Sequence, residues 1–257
     1  MRLRVLLFAG LLMGWAAMAH GDGQGLTPGP GRVFLFTAKK LGIPILKATL
    51  HIGNGGNEHS PRGKPLIQVR VEVASVNLGF LFRVNNRFLS TMEAETCAPV
   101  QYVKEIDQDG LFKEKKNYLE TLTFDPQRQK VVVEKKGTKE KREVDLPPET
   151  FDPLSMFARC YLKEDLQPHQ EIRMTIYDGL KLRQMVFLPK EERVTSKIFG
   201  EVEAVRLEAI TSFASFEDRE GMIRIWYAKD GKKTPILMEL DLPVGKVRFE
   251  LDEIREG

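Results

Sequence analysis

A hydroxyl, an imidazole and a carboxylate are the parts of a nucleophilic triad, and Ser155, His169 and Asp152 supply one of each in a short stretch of chain. As a set, Asp152 would orient His169 and His169 would take the Ser155 proton. The same residues also read as a helix start: Asp152 is a good N-cap, Pro153 suits the first helical position, and Ser155 falls in the first turn. No G-x-S-x-G turn is present to present a serine. The four histidines are His20, His51, His59 and His169. His51 and His59 could share a metal ion, but their spacing fits neither a helical pair nor a tight hairpin, and no H-E-x-x-H or Cys/His zinc pattern occurs. Gly53-Asn54-Gly55-Gly56 has the glycine of a phosphate loop without its G-K-[ST] ending or a following helix. Glu191-Glu192 and the pair Glu201 and Glu203 fall in turns or on a wet strand face, not as a desolvated acid/base couple. These residues assign no catalytic residue, no metal and no cofactor.

Cys97 and Cys160 are the two cysteines, 63 positions apart. If they pair, closing that loop stabilises by up to about 4 kcal/mol on the chain-entropy model. The alternative is two small buried side chains that never meet. There is no C-x-x-C spacing for redox work and no ligand cluster for zinc.

The compartment is written in the first residues. Arg2 and Arg4 precede an apolar run from Val5 to Met18, and Ala17-Met18-Ala19 is a small-x-small cleavage site. That order is a secretory signal peptide over residues 1–19, which places the protein in the periplasm and makes a disulfide chemically permissible. An uncleaved anchor is the alternative, although the run is short of the roughly 20 residues that span a bilayer. No later segment is apolar enough to be a transmembrane helix. Residues 20–31, rich in Gly and Pro, read as a flexible leader before one β-rich domain over 32–254, with a division into two lobes near 147–165 left open. The formal charge of +3 on 257 residues falls to 37 basic against 36 acidic residues once Arg2 and Arg4 are gone, a balance that by itself gives no reason to expect nucleic acid or an anionic membrane as partner.

The elements that must position any site have a period of two. Ile67, Val69, Val71 and Val73 alternate with polar or small neighbours, as do Ile172, Met174 and Ile176, Val205, Leu207 and Ala209, Ile223, Ile225 and Tyr227, Ile236 through Leu242, and Val247, Phe249 and Leu251. Asp109-Gly110, Asp178-Gly179 and Asp230-Gly231 are hairpin signals between such runs. Asn54 to Pro65 reads as a longer polar loop, and Asp152 to Leu162 as one short helix, with Leu154, Phe157, Ala158 and Tyr161 on one face. About eight strands are expected before this helix and five or six after it. The fold class is mainly β: an antiparallel meander forming a curved sheet, half-barrel or open barrel.

Two surface features remain. Lys135, Lys136, Lys139, Lys141 and Arg142, with Lys113, Lys115 and Lys116, could form a basic patch, or be the solvated tip and protected edge of a hairpin interrupted by Glu134, Glu140 and Glu143. Phe80-Leu81-Phe82 and Met185-Val186-Phe187-Leu188 are apolar on both faces, enough for a greasy ligand in a concavity or for a core filled by the helix.

The order of short motifs is Gly42-Ile43-Pro44, Phe124-Asp125-Pro126, Leu146-Pro147-Pro148, Asp152-Pro153-Leu154-Ser155, Tyr177-Asp178-Gly179, Phe199-Gly200, Ile225-Trp226-Tyr227, Thr234-Pro235-Ile236 and Gly245-Lys246-Val247. This order resembles the exported bacterial family called domain of unknown function 3108. The resemblance implies an exported, mostly β protein of the diderm envelope and carries no activity or site residue with it. The expected function is a non-enzymatic periplasmic binding or assembly factor for a lipid or other apolar envelope ligand, shaped as a half-barrel similar to the lipoprotein carriers. The alternatives are an interaction protein docking to an envelope complex by a sheet edge or the basic hairpin, and an envelope hydrolase built on Ser155.

Overall fold

Alternating residues become strands because one pleat face is buried and the other meets water. The computed structural model describes residues 31–76, 82–110, 113–138, 140–211, 223–242 and 245–256. In order these form β1 (Gly31–Lys40), β2 (Ile43–His59), β3 (Pro65–Ser75), β4 (Phe82–Glu93), β5 (Pro99–Gly110), β6 (Lys113–Asp125), β7 (Lys130–Lys135), β8 (Lys141–Asp145), β9 (Thr150–Phe151), α1 (Pro153–Leu162), β10 (Ile172–Tyr177), β11 (Leu182–Ser196), β12 (Gly200–Thr211), β13 (Ile223–Ala228), β14 (Pro235–Leu242) and β15 (Gly245–Glu256). The segments read as signal peptide, most of the leader, and Phe80-Leu81 lie outside the described residues.

All fifteen strands form one sheet, in the order β8-β7-β6-β5-β4-β3-β2-β1-β15-β14-β13-β12-β11-β10-β9. Every neighbouring pair is antiparallel except β9 with β10. The chain therefore begins mid-sheet, steps outward to one edge at β8, crosses to the other edge at β9, and steps back until β15 pairs with β1. The sheet is open, and its two edges are consecutive in the chain. The Asp178-Gly179 turn laces the seam between them: the Lys104 ammonium donates to the Asp178 carbonyl at 2.8 Å, and the Arg142 guanidinium donates to the Gly179 carbonyl. Gly179 must be glycine. Its φ is +93°, and a Cβ there would lie 2.7 Å from Lys104 Nζ.

Because a meander alternates direction, its turns separate into two ends. The β1–β2, β5–β6, β7–β8 and β10–β11 turns share one end, here called the mouth. The β4–β5, β6–β7, β11–β12 and β13–β14 turns share the other, the plug end. Helix α1 fills the interior toward the plug end. Arg159 Nη1 donates to the Thr96 carbonyl of the β4–β5 turn at 3.3 Å, and Lys233 Nζ, from the β13–β14 turn, donates to the Glu164 carbonyl just past the helix at 2.8 Å.

The expected helix is present with Asp152 as N-cap, and the Asp178-Gly179 and Asp230-Gly231 turns join the strand pairs expected of them; Asp109-Gly110 instead ends β5, and the two residues between it and β6 lie outside the described ones. Nine strands precede the helix and six follow, since the two-residue β9 is too short to leave an alternation. The expected loop over Asn54 to Pro65 is a correction: β2 runs on to His59 through a break in register. A Cβ on Gly55 would lie 2.9 Å from the Leu66 Cβ, so glycine here permits a close strand contact rather than ending the strand.

Candidate ligand cavity

Residues two apart on a strand share a face, so five alternating series converge on the interior at the mouth. They are Tyr102, Lys104, Ile106 and Gln108 on β5, Lys116 and Tyr118 on β6, Arg183, Met185 and Phe187 on β11, Leu207 on β12, and Ile223 and Ile225 on β13. Phe88 on β4 and Ile176 on β10 complete the wall, and Pro153 and Met156 of α1 make its floor. They enclose a cavity of about 70 Å³. A second, wholly apolar void of about 40 Å³ lies among Ala48, Leu50, Val71, Leu154, Phe157 and Met238. Met156, Ile223 and Ile225 border both, so the flexible Met156 side chain stands between the two voids.

Four charges sit among these apolar residues, and they compensate one another. Arg183 is 1% exposed and holds Asp178 at 2.6 Å. Lys104 is 7% exposed and pairs with Glu120. Burial, then the nearby Glu120 and Asp178 carboxylates, push the Tyr118 phenol up to about 12, so it stays a neutral donor. Lys116 differs: it is half-buried, lines the cavity, and its ammonium pairs with no described residue. Chemically the arrangement is an apolar chamber with one cation unpaired among the described residues at its opening, the Tyr118 phenol on the same strand, and the buried Tyr102 phenol deep in the wall.

The triad does not assemble. Ser155 is 0% exposed, and its hydroxyl accepts from the Asp152 amide at 2.9 Å and donates to the Asp152 carbonyl. Asp152 accepts from the Leu154 and Ser155 amides at 2.8 and 3.0 Å and from the Ser90 hydroxyl at 2.6 Å. His169 is exposed, and its backbone amide bonds the Pro189 carbonyl. Asp152 and Ser155 are structural and form a complete capping box, from which His169 stands apart. Burial raises the Asp152 carboxyl to about 6, against the four hydrogen bonds that favour its charged form.

The remaining sequence candidates are dispersed. His51 pairs in register with Arg70 and His59 with Pro65, which sets them about 17 Å apart along the strands at a rise of roughly 3.3 Å per residue. Cys97 and Cys160 are both buried with free thiols. Burial pushes them up to about 11 and about 12. In the β7–β8 hairpin, Lys141 pairs with Glu134 at 2.8 Å and Lys135 with Glu140 at 3.9 Å. Glu191 is held by Lys229 at 2.7 Å, and Glu192 by Arg206 and the Trp226 indole at 2.7 and 2.9 Å, on the outer face. Sequence reasoning missed Lys104 and Arg183, and placed Lys116 in a surface patch rather than at a cavity. An inward charge has the same period as an outward one, and only the neighbouring Tyr102 and Ile106, or Met185 and Phe187, carry the phase.

An open antiparallel sheet curled around one helix, with an apolar chamber at the mouth and a larger charged cleft of about 340 Å³ at the plug end, defines a β-barrel-like protein. The chain belongs to the family described as protein of unknown function (DUF3108), which matches residues 33–252. Among solved structures, it is similar to the crystal structure of a beta-barrel-like protein of domain of unknown function DUF1849 from Brucella abortus. The TM-score is 0.56 at 12% identity, over 90% of this chain and 99% of that one. A hypothetical protein, CT021 from Chlamydia trachomatis, matches at TM-score 0.35 and 11% identity, over 90% of this chain and 89% of that one. No curated protein matches the chain. Among the described residues, no helix is long and apolar enough to cross a membrane.

Proposed function

We propose that this protein is a non-enzymatic periplasmic binding factor that takes the apolar chain of an anionic amphiphile into the mouth-end chamber. The observation that carries the reading is the pairing of an apolar wall with the uncommitted Lys116 ammonium at its opening. The chain would enter between Phe88 and Phe187, with the head against Lys116 and the Tyr118 phenol. Space is made by Met156, whose turning aside joins the voids of about 70 and 40 Å³. The hydrolase alternative loses its support with Ser155 committed to the cap. The basic-hairpin alternative is weakened by the pairing of Lys135 and Lys141 within the hairpin.

The test combines native mass spectrometry of protein recovered from its own periplasm with uptake of a dansyl-labelled fatty acid. The expected results are a co-purifying lipid-sized mass, tighter uptake by Met156→Ala, and loss of uptake by Leu207→Trp. A bare mass together with uptake that neither substitution moves would sink the proposal. The Met156→Ala variant should still unfold cooperatively, at a cost of about 2–4 kcal/mol for the enlarged void.

A further inference from the structure

The β1–β2 turn places an apolar side chain where two separate costs oppose it. Lys40 pairs with Ile43, so Leu41 and Gly42 form a two-residue hairpin loop. Both have positive φ, 53° and 78°, the signature of a type I′ turn. That turn favours Asn, Asp or Gly at its first central position, and a γ-branched apolar residue there is strained. Leu41 is also 95% exposed, with Ile43 beside it at 56%. A position that is both strained and greasy in water does nothing for the folded chain alone, and such outliers collect at binding surfaces. Leu180 and Leu182, 42% and 41% exposed, stand at the β10–β11 turn of the same end.

Among the described residues, the charge at this end is one-sided. Lys40, Lys115, Lys116 and Lys136 pair with no described residue. The acids Glu134, Glu140 and Asp178 are taken up by Lys141, Lys135 and Arg183. Asp109 is left, bonded only to the amide of Gly110 beside it. Greasy tips between uncompensated ammonium groups complement one surface chemistry: acyl chains beneath anionic headgroups.

We infer that the mouth end docks on an anionic lipid bilayer, with Leu41 and Ile43 inserted below the headgroups and Lys40, Lys115 and Lys136 on the phosphates. This inference goes beyond the chamber and does not depend on its occupancy, because Leu41 lines neither void. Docking would set the chamber's opening against the membrane plane, the geometry needed to exchange an amphiphile without exposing its chain to water.

The experiment is flotation of the protein recovered from the periplasm with vesicles of phosphatidylethanolamine and phosphatidylglycerol, against vesicles of phosphatidylcholine alone. Binding is expected on the first and not the second, weakening as salt rises. Leu41→Asn should lower partitioning about tenfold or more, from the lost burial of one leucine. Lys40→Gln and Lys136→Gln should each lower it about fivefold. Asn suits the left-handed turn, so Leu41→Asn should unfold at or above the wild-type temperature, which separates lost docking from lost folding. Uptake of the dansyl-labelled fatty acid from solution should be unchanged in Leu41→Asn, so this inference and the chamber reading fail separately. No flotation, equal binding to both vesicles, binding that survives Leu41→Asn, or a dimer that this substitution dissolves would each overturn the inference.

Discussion

The two ends of one interior are built differently. Toward the plug, Phe157 of α1 lies against Tyr161 and Tyr227 at centroid distances of 6.1 and 6.3 Å, and Phe34 meets Tyr161 edge-on at 87°. Arg32 closes this cluster with a hydrogen bond to the Tyr161 hydroxyl at 2.5 Å. Toward the mouth, the same sheet presents side chains of similar size, yet leaves about 70 Å³ unfilled above Pro153 and Met156. The plug end has unfilled space too: a cleft of about 340 Å³ lies there among Arg62, Glu93, Phe124, Leu146 and Arg159. The two ends differ in lining more than in filling. The plug-end cleft is rimmed by charge, whereas the mouth void is mostly apolar, and empty apolar space forfeits dispersion contacts and destabilises.

The largest effects should separate the halves by truncation. Phe157→Ala removes the centre of the aromatic cluster and should cost about 3–5 kcal/mol in denaturant unfolding. Leu207→Ala should cost less, about 2–3 kcal/mol, because a leucine removes fewer contacts than a phenylalanine stacked on two tyrosines. Equal losses would mean that the two halves pack alike and that the mouth void is not a distinct feature.

Next in size is a pH effect at the boundary between the halves, where Asp152 caps the helix that ends the filled region. Burial raises its carboxyl from the ordinary 3.8 to about 6. The folded chain then holds this proton more tightly than the unfolded chain. Its contribution to stability is full below about pH 4, falls as pH rises through about 6, and is flat beyond. A shift of about two units corresponds to about 3 kcal/mol. Asp152→Asn keeps the cap and the bond with Ser90 without a buried charge. The difference in stability between variant and wild type should therefore grow in favour of the variant from about pH 4 to about pH 6. A difference that stays constant with pH would show that the buried carboxyl does not titrate there.

Much of this architecture could be read directly from residue types. The alternating series at Val69, Val71 and Val73 and the turn at Asp230-Gly231 depend on local backbone physics, as does the helix start at Asp152-Pro153, and each is where it should be. What stayed hidden was long-range. The chamber is made where β4 to β6 meet β10 to β13, and no period reports which faces will meet. Lys104 and Arg183 are buried charges, so their residue type points to the wrong face of the strand. Their partners, Glu120 and Asp178, lie on other elements. The double role of Asp178-Gly179, a turn by sequence and a latch by structure, could not be seen before Lys104 and Arg142 were known to face it. Leu41 was passed over for a related reason: an exposed leucine is ordinary, and only its positive φ makes it informative.

The smallest expected effect tests whether the filled half is optimised throughout. Tyr227 is 1% exposed, packs on Phe157 and Tyr161, and its hydroxyl has no hydrogen-bond partner. A buried hydroxyl without a partner costs its hydration and returns nothing, so removing it should stabilise. Tyr227→Phe keeps the ring and its stacking. It should raise stability by about 1 kcal/mol, read as a higher denaturant midpoint at unchanged slope. A loss of similar size would mean that the hydroxyl is hydrated from the plug end, where the charged cleft lies. The comparison would then be between an apolar chamber at one end and a wet polar pocket at the other. In that case the neighbouring Cys160 thiol, 2% exposed, should react faster with alkylating agents than a sealed core allows.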